Sequence, residues 1–234
     1  MNLGFVFVNA VIKAWTRIVC KIDGVQLKKV PLHGPLIIIS NHVNFLEAPV
    51  LYTHLLPREM TALAKVESWD NPGKRFLFNL WKIIPIRRGE ADMTAYRAAL
   101  DALTAGRILV IAPEGTRSFS GKLQKGLPGT ALIAVRSGAP ILPVAFFGAE
   151  NFWQNIKRFK RSPFNIRVGK PFKINLPSNG LSKENRSQVI DECMYQLAAL
   201  LPDEYRGAYL DFSAYSTDFL TFLEEPINSS ETKD

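Results

Sequence analysis

Residues 35–49 read Pro35-Leu36-Ile37-Ile38-Ile39-Ser40-Asn41-His42-Val43-Asn44-Phe45-Leu46-Glu47-Ala48-Pro49. The apolar run 36–39 is short and closed by polar residues, which reads as a buried strand. Open α/β sheets bind their ligands outside the carboxyl ends of the strands, and His42 falls at that place. An acid, Glu47, follows. On one continuous helix the two side chains would diverge by about 140°, from the step of about 100° per residue. Pro49, however, is tolerated only in the first turn of a helix. A helix is therefore expected to begin near Glu47, with His42 on the loop before it. Such a loop folds the imidazole back onto the carboxylate, fixing its tautomer and raising its basicity as a general base requires. Taken alone, the same residues also suit a structural loop histidine near an unrelated surface glutamate.

Outward from this stretch, short apolar runs alternate with helical patterns. Residues 83–86, 107–112, 141–147 and 166–174 read as strands; residues 50–56, 74–81, 93–105, 129–137 and 183–201 read as helices. That alternation predicts an α/β fold, a single domain with a mixed, largely parallel sheet flanked by helices. No internal repeat or low-complexity segment interrupts it. The expected organisation is an N-terminal helix over 1–21, a catalytic domain over 22–202 and an acidic C-terminal tail over 203–234, with its last residues frayed.

In the first segment Asn2, Asn9, Lys13, Thr16, Arg17 and Lys21 share one side of a helical wheel. Leu3, Phe5, Phe7, Val11, Trp15 and Ile18 lie among the apolar residues that cover the rest. Its apolar length of about 27 Å is marginal for a bilayer, and Lys13 near the middle makes spanning costlier. The expectation is an amphipathic helix in a membrane interface, apolar side down and cations at the headgroups. An ordinary core helix is the alternative. The apolar start lacks a charged leader and a small-residue exit, so it does not read as a cleavable signal peptide.

The chain has 234 residues and a net charge of +8. From Asp203 onward eight acids face two bases, which leaves +14 on the first 202 residues. A body that basic prefers anionic partners: nucleic acid, anionic headgroups or phosphorylated small molecules. Residues 151–161 (Asn-Phe-Trp-Gln-Asn-Ile-Lys-Arg-Phe-Lys-Arg) interleave aromatics with cations. That composition suits an anionic membrane surface, and equally a single-stranded nucleic acid. Cys20 and Cys193, far apart, offer neither a disulfide framework nor a zinc cluster of usual spacing. A reducing compartment fits them.

Three further segments carry chemistry or frame it. Ala112-Pro113-Glu114-Gly115-Thr116-Arg117-Ser118 again follows an apolar strand. Gly115 permits a sharp turn with exposed N–H groups, Thr116 and Ser118 add hydroxyls, and Arg117 adds a fork-shaped cation. This set suits a phosphate oxyanion, with Glu114 bracing Arg117 or a substrate hydroxyl. An ordinary polar turn fits too. Residues 83–89 form a strand ending in Arg87-Arg88, one of which is expected to face a crevice and the other solvent. Residues 138–145, apolar with Pro140 and Pro143, read by themselves as core strand.

In their order these segments resemble the four sequence blocks of the glycerolipid acyltransferase family. The blocks are N-H-x-x-x-x-D, a strand ending in Arg, P-E-G-T-R-S, and an apolar proline-bearing strand. Here they stand as Asn41-His42 with Glu47, as Arg87, as residues 113–118 and as residues 141–148. Residues 64–67 and 126–131 are also similar to family text, and the resemblance covers about residues 22–175. The departure is Glu47, where the family has Asp.

The resemblance implies direct acyl transfer from acyl-CoA or acyl carrier protein to an alcohol, without a cofactor, a metal or a covalent enzyme intermediate. His42 is then the general base and Glu47 its orienting acid. Arg87, Arg117, the turn of Glu114, Gly115 and Thr116, and secondarily Lys65, would hold the phosphate of the acceptor. Asn41 joins the substrate-binding set, and Pro143 would line the acyl channel. The implied acceptor is a phosphorylated lyso-lipid, lysophosphatidate foremost, with other lyso-lipids behind it. The implied setting is an anionic membrane surface on its cytoplasmic face, with no nucleic-acid partner. A catalytically silent lipid-binding relative is the competing reading.

Overall fold

The computed structural model describes residues 3–176, 180 and 182–224. Helix α1 (Leu3–Val19) runs directly into strand β1 (Cys20–Asp23). There follow β2 (Leu36–Ser40), α2 (Glu47–His54), β3 (Met60–Lys65), α3 (Pro72–Leu80), β4 (Ile84–Ile86), α4 (Met93–Thr104) and β5 (Ile108–Ile111). The second half adds α5 (Gly129–Ser137), β6 (Ile141–Phe147), α6 (Phe152–Lys157), β7 (Ser162–Val168), β8 (Phe172–Ile174), α7 (Lys183–Ala198) and β9 (Leu220–Phe222).

The described strands form one sheet in the order β1-β7-β6-β2-β5-β3-β4, with β8 pairing β6 and β9. The run from β6 through β2, β5 and β3 to β4 is parallel. Antiparallel pairs join β6 to β7 and to β8, and β8 to β9. Alternation along β2 shows why its sequence is apolar without a break. Ile37 and Ile39 enter a core with α4, α5 and α7. Leu36 and Ile38 enter a second core with α2 and the inner side of α1. Both faces of the sheet are covered, so both phases of the strand must be apolar. The expected mixed, largely parallel α/β domain is what the chain forms.

Local chemistry sets several boundaries. Asn71 accepts the Lys74 N–H with Pro72 at the first turn of α3, and Asp92 accepts the Ala95 N–H at the start of α4. The expected strand over 166–174 is two strands, interrupted at Gly169-Lys170-Pro171. Pro171 has no N–H for a ladder, and the chain there leaves β6's neighbour β7 to start β8. Cys20 and Lys21, read as the end of the first helix, open β1 instead and pair with Ser162 and Pro163. The expected boundary at 202 is no structural break. Tyr209 and Leu220 are buried in the same core as α7, and β9 extends the sheet. The frayed end expected for the last residues lies outside the described ones.

Helix α1 turns Asn9 and Thr16 inward beside Phe5, Ile12 and Val19. Asn9 (1% exposed) and Thr16 are its buried residues. The Trp81 Nε1–H donates to Asn9 Oδ1 at 3.1 Å, while Asn9 Nδ2 donates to the Phe5 carbonyl and Thr16 Oγ1 to that of Lys13. Leu3, Val6, Phe7 (70% exposed), Val11, Trp15 and Ile18 face outward. Among the described residues no helix is long and apolar enough to cross a membrane.

Candidate active site

The site is built where the parallel strands end. Beyond β2 the chain turns at Asn41, whose side chain spans to β6: Nδ2 donates to the Phe146 carbonyl at 2.7 Å, and Oδ1 accepts the Phe146 N–H at 2.8 Å. Both polar atoms are consumed and the residue is buried. Asn41, expected to bind substrate, is instead a clip fixing the end of β2 to its neighbour, because a buried amide needs partners on both atoms.

His42 is held on three sides. Its N–H donates to Glu114 Oε1 at 3.1 Å, and its carbonyl accepts the Ser118 N–H at 2.8 Å. The ring Nδ1 lies 3.0 Å from Glu47 Oε2. Glu47 Oε1 accepts the Asn44 N–H at 2.8 Å and the Val43 N–H at 3.2 Å. These three partners fix the carboxylate, which is 5% exposed at the first position of α2, a location that favours negative charge. An ionised Glu47 acts as acceptor only. Nδ1 must therefore carry the proton, leaving Nε2 with its lone pair. No partner takes Nε2 among the described residues, and the His42 side chain is 31% exposed. The imidazole thus has its tautomer set and its second nitrogen open.

The loop after β5 supports this pair. Glu114 is 4% exposed, and its second oxygen accepts from the Gln124 N–H at 2.9 Å. Burial raises its pKa, an effect that the hydrogen bonds from Gln124 and His42 only partly offset. Its bonds go to His42 and Gln124, not to Arg117. Ser118, expected to offer its hydroxyl to phosphate, is buried and donates to the Lys122 carbonyl. Gly115 stands at φ +68°, and a Cβ there would collide with Leu127 Cδ1, so the turn favours glycine. Thr116 is exposed, and Arg117 is half-buried, its Nε sheltered and unpartnered among the described residues.

Lys65 and Arg87 follow the carboxyl ends of β3 and β4, and both are exposed. Because β2, β5, β3 and β4 run parallel side by side, His42, Arg117, Lys65 and Arg87 share one rim. None of these three cations is ion-paired among the described residues. Arg88 is exposed as well, not divided from Arg87 across a crevice; its pKa is lowered by partial burial, against the pull of Glu67. Pro143 is elsewhere: buried in β6, in register with Ile39, below the rim.

Sequence reasoning gave no role to Asn44 and Gln124. Asn44 Oδ1 accepts the Leu46 N–H at 2.7 Å, shaping the turn between base and acid, and its Nδ2 donates to the Ala149 carbonyl. An asparagine whose side chain accepts the N–H two residues on is a turn signal. Gln124 offers no such signal, since its part is played by its backbone. Among the described residues no group of three or more His, Cys, Asp or Glu side chains is placed to hold a metal.

The model of the acyltransferase family matches residues 21–147, over half the chain, and the chain belongs to this family. It is 26% identical over 156 residues to a 1-acyl-sn-glycerol-3-phosphate acyltransferase of Borreliella burgdorferi, covering 65% of this chain and 62% of that protein. It is 29% identical over 167 residues to a lyso-ornithine lipid O-acyltransferase of Pseudomonas aeruginosa, covering 64% and 62%. The crystal structure of the 1-acyl-sn-glycerophosphate acyltransferase PlsC from Thermotoga maritima shares the fold. Its TM-score is 0.56 at 21% identity, over 81% of this chain and 75% of that one. The first curated relatives are matched over only 33% to 62% of their own length.

Proposed function

We propose that this protein is a membrane-surface O-acyltransferase that moves a fatty acyl group from a thioester to the hydroxyl of a phosphorylated lyso-lipid, lysophosphatidate foremost. The observation that carries the reading is the His42–Glu47 pair, with Nε2 open on a rim that also bears the unpaired cations Arg117, Arg87 and Lys65. In the reaction Nε2 takes the proton of the acceptor hydroxyl as its oxygen attacks the thioester carbonyl. The imidazolium, stabilised by Glu47, returns that proton to the departing thiolate. Overall one C–O bond forms, one C–S bond breaks, and the proton leaves on sulfur. The cations hold the acceptor's phosphate and so its hydroxyl in attack geometry. Acyl-CoA and acyl carrier protein both satisfy this scheme as donors.

The outward apolar side of α1 is the proposed membrane contact. A stripe of that size left open to water is unfavourable, and an interface covers it. The cation-rich stretch around α6, with Trp153 and Phe159 exposed, suits the same anionic surface. The likeness to a lyso-ornithine lipid enzyme supports a second acceptor class, an aminolipid without phosphate. The test is purified protein with labelled acyl-CoA and acceptors with and without phosphate. His42→Ala should abolish transfer while the fold persists. Arg117→Ala should weaken the phosphorylated acceptor's apparent affinity by about one to two orders of magnitude, as loss of a charge-assisted hydrogen bond implies. Equal use of unphosphorylated acceptors would favour the aminolipid reading, and no transfer to any acceptor would refute both.

A further inference from the structure

The segment after α7 lies beyond the family match, yet it reaches the catalytic base through a continuous chain of contacts. Residues 203–209 form two short 3-10 turns, Asp203–Tyr205 and Gly207–Tyr209. Arg206 anchors them to the end of α7, its Nε donating to the Ala198 and Leu201 carbonyls at 3.1 and 3.0 Å. Both backbone groups of Leu123 are then taken. The Leu123 N–H donates to the Tyr205 carbonyl at 2.9 Å, and the Leu123 carbonyl accepts the Ala208 N–H at 3.0 Å. Tyr209 Oη accepts the Gly126 N–H at 3.0 Å and donates to Asp191 at 2.7 Å. Between these two fixed points lies Gln124, whose N–H holds Glu114 Oε2 and so leaves Oε1 for the His42 N–H. Gly207 sits at φ +52°, and a Cβ there would collide with the Leu123 carbonyl oxygen and lie 2.9 Å from its nitrogen. The obstacle is backbone, which cannot swing aside as a side chain can.

We propose that residues 203–209 are a strap that positions the active site, acting through Leu123, Gln124 and Glu114 on His42, and that Gly207 is its decisive positioning residue. The inference rests on the proposed acyltransferase reading for its effect on rate, though not for its effect on structure. Without the strap the loop after β5 keeps the Ser118 N–H on the His42 carbonyl, the Leu127 N–H on the Pro113 carbonyl, the Ser118 hydroxyl on Lys122 and the buried Leu123 side chain, none of which holds the backbone groups of Leu123. A shift of Leu123 moves the Gln124 N–H, frees Glu114 to rotate, and loosens the imidazole relative to the rim cations. Coupling of this kind needs an unbroken set of contacts, and each link is present.

The test compares the full chain with Gly207→Val and a control, Leu220→Ala, which removes core volume at β9 but none of the hydrogen bonds between the strap and Leu123. Amide hydrogen exchange is read at Leu123, Gln124 and His42, and steady-state kinetics with acyl-CoA and lysophosphatidate are read beside it. Gly207→Val should speed exchange at all three amides and lower kcat by about tenfold to a hundredfold, since misplacement of about 1 Å costs that much. KM for the acyl donor should hold. Leu220→Ala should lower the melting temperature and leave kcat and those amides unchanged. Should Gly207→Val not fold, Tyr209→Phe removes the Gly126 and Asp191 contacts alone and should produce the same pattern in weaker form. The proposal is overturned if exchange at His42 is unaltered while Leu123 loosens, or if kcat falls equally in the control. A wild-type protein without acyl transfer would sink the functional reading, while the exchange data would still decide the strap.

Discussion

Glu47 departs from the aspartate of its family, and the geometry shows how the longer side chain is used. One oxygen serves His42, and the other gathers the N–H groups of Val43 and Asn44. The loop is thus folded around a glutamate-length arm. In Glu47→Gln the amide oxygen keeps the two N–H groups, and the –NH2 then faces Nδ1. That favours the tautomer protonated on Nε2, which cannot accept a proton. The analogous change in a Ser-His-Asp triad costs about 10⁴ in kcat, and a loss of several orders of magnitude is expected here. Glu47→Asp keeps the charge but falls short by about one bond, for a loss of about a hundredfold. Steady-state rates at saturating acceptor order the three proteins. A Glu47→Gln variant as fast as wild type would remove Glu47 from the chemistry. Glu114 supplies a pH dependence of a different kind. Its raised pKa means that the fold prefers its neutral form, so its contribution to stability is present at acid pH and lost as pH rises through the folded value. Urea midpoints measured from about pH 4 to 7 should show wild type losing ground to Glu114→Gln as pH rises. A constant difference between the two would contradict this assignment. The pairing of His42 with Glu47 could be read from spacing and Pro49. The roles of Asn41, Glu114 and Ser118 could not, because each is decided by a backbone group far along the chain.

Helix α1 inverts the usual relation between polarity and burial. Its wheel told that one side was apolar; it did not tell which side the domain would take. The domain takes the Asn9 side because Trp81 offers an indole N–H that only a residue such as Asn9 can receive, so a buried amide there is satisfied. Lys13 lies near this side, and its pKa is lowered by partial burial and by Arg17. Trp15 still packs on Phe45 and Phe152, whereas Phe7 and Val11 stand exposed. Phe7→Asp with Val11→Asp, both at exposed positions, should change stability by no more than about 0.5 kcal/mol each. The same pair should abolish flotation with anionic liposomes. Retained flotation, or unfolding, would show that the apolar side of α1 does not serve as the membrane contact. Strands β1, β3 and β9 and helix α6 escaped notice; segments as short as Cys20–Asp23 or Leu220–Phe222 have no periodicity to read, and their partners Ser162–Val168 and Phe172–Ile174 decide them.

Across the whole molecule, the parallel strands β2, β5, β3 and β4 explain why motifs far apart in sequence meet. His42, Arg87 and residues 113–118 follow the carboxyl ends of β2, β4 and β5, where open α/β sheets place their crevices, whereas the fourth segment is β6 itself. The sheet order itself, and the return of residues 203–222 onto the core, depend on contacts with no local signature. A last consequence concerns the junction of α1 and β1. Val19 and Cys20 are consecutive, with no linker between helix and strand, and β1 is laced to β7 through Cys20–Asp23. The Arg161 guanidinium further ties the carbonyls of Arg17 and Cys20. The helix is thereby a rigid outrigger of the sheet, not a tethered float. Whatever surface its outer side meets, the height and tilt of the His42 rim above that surface are set in advance.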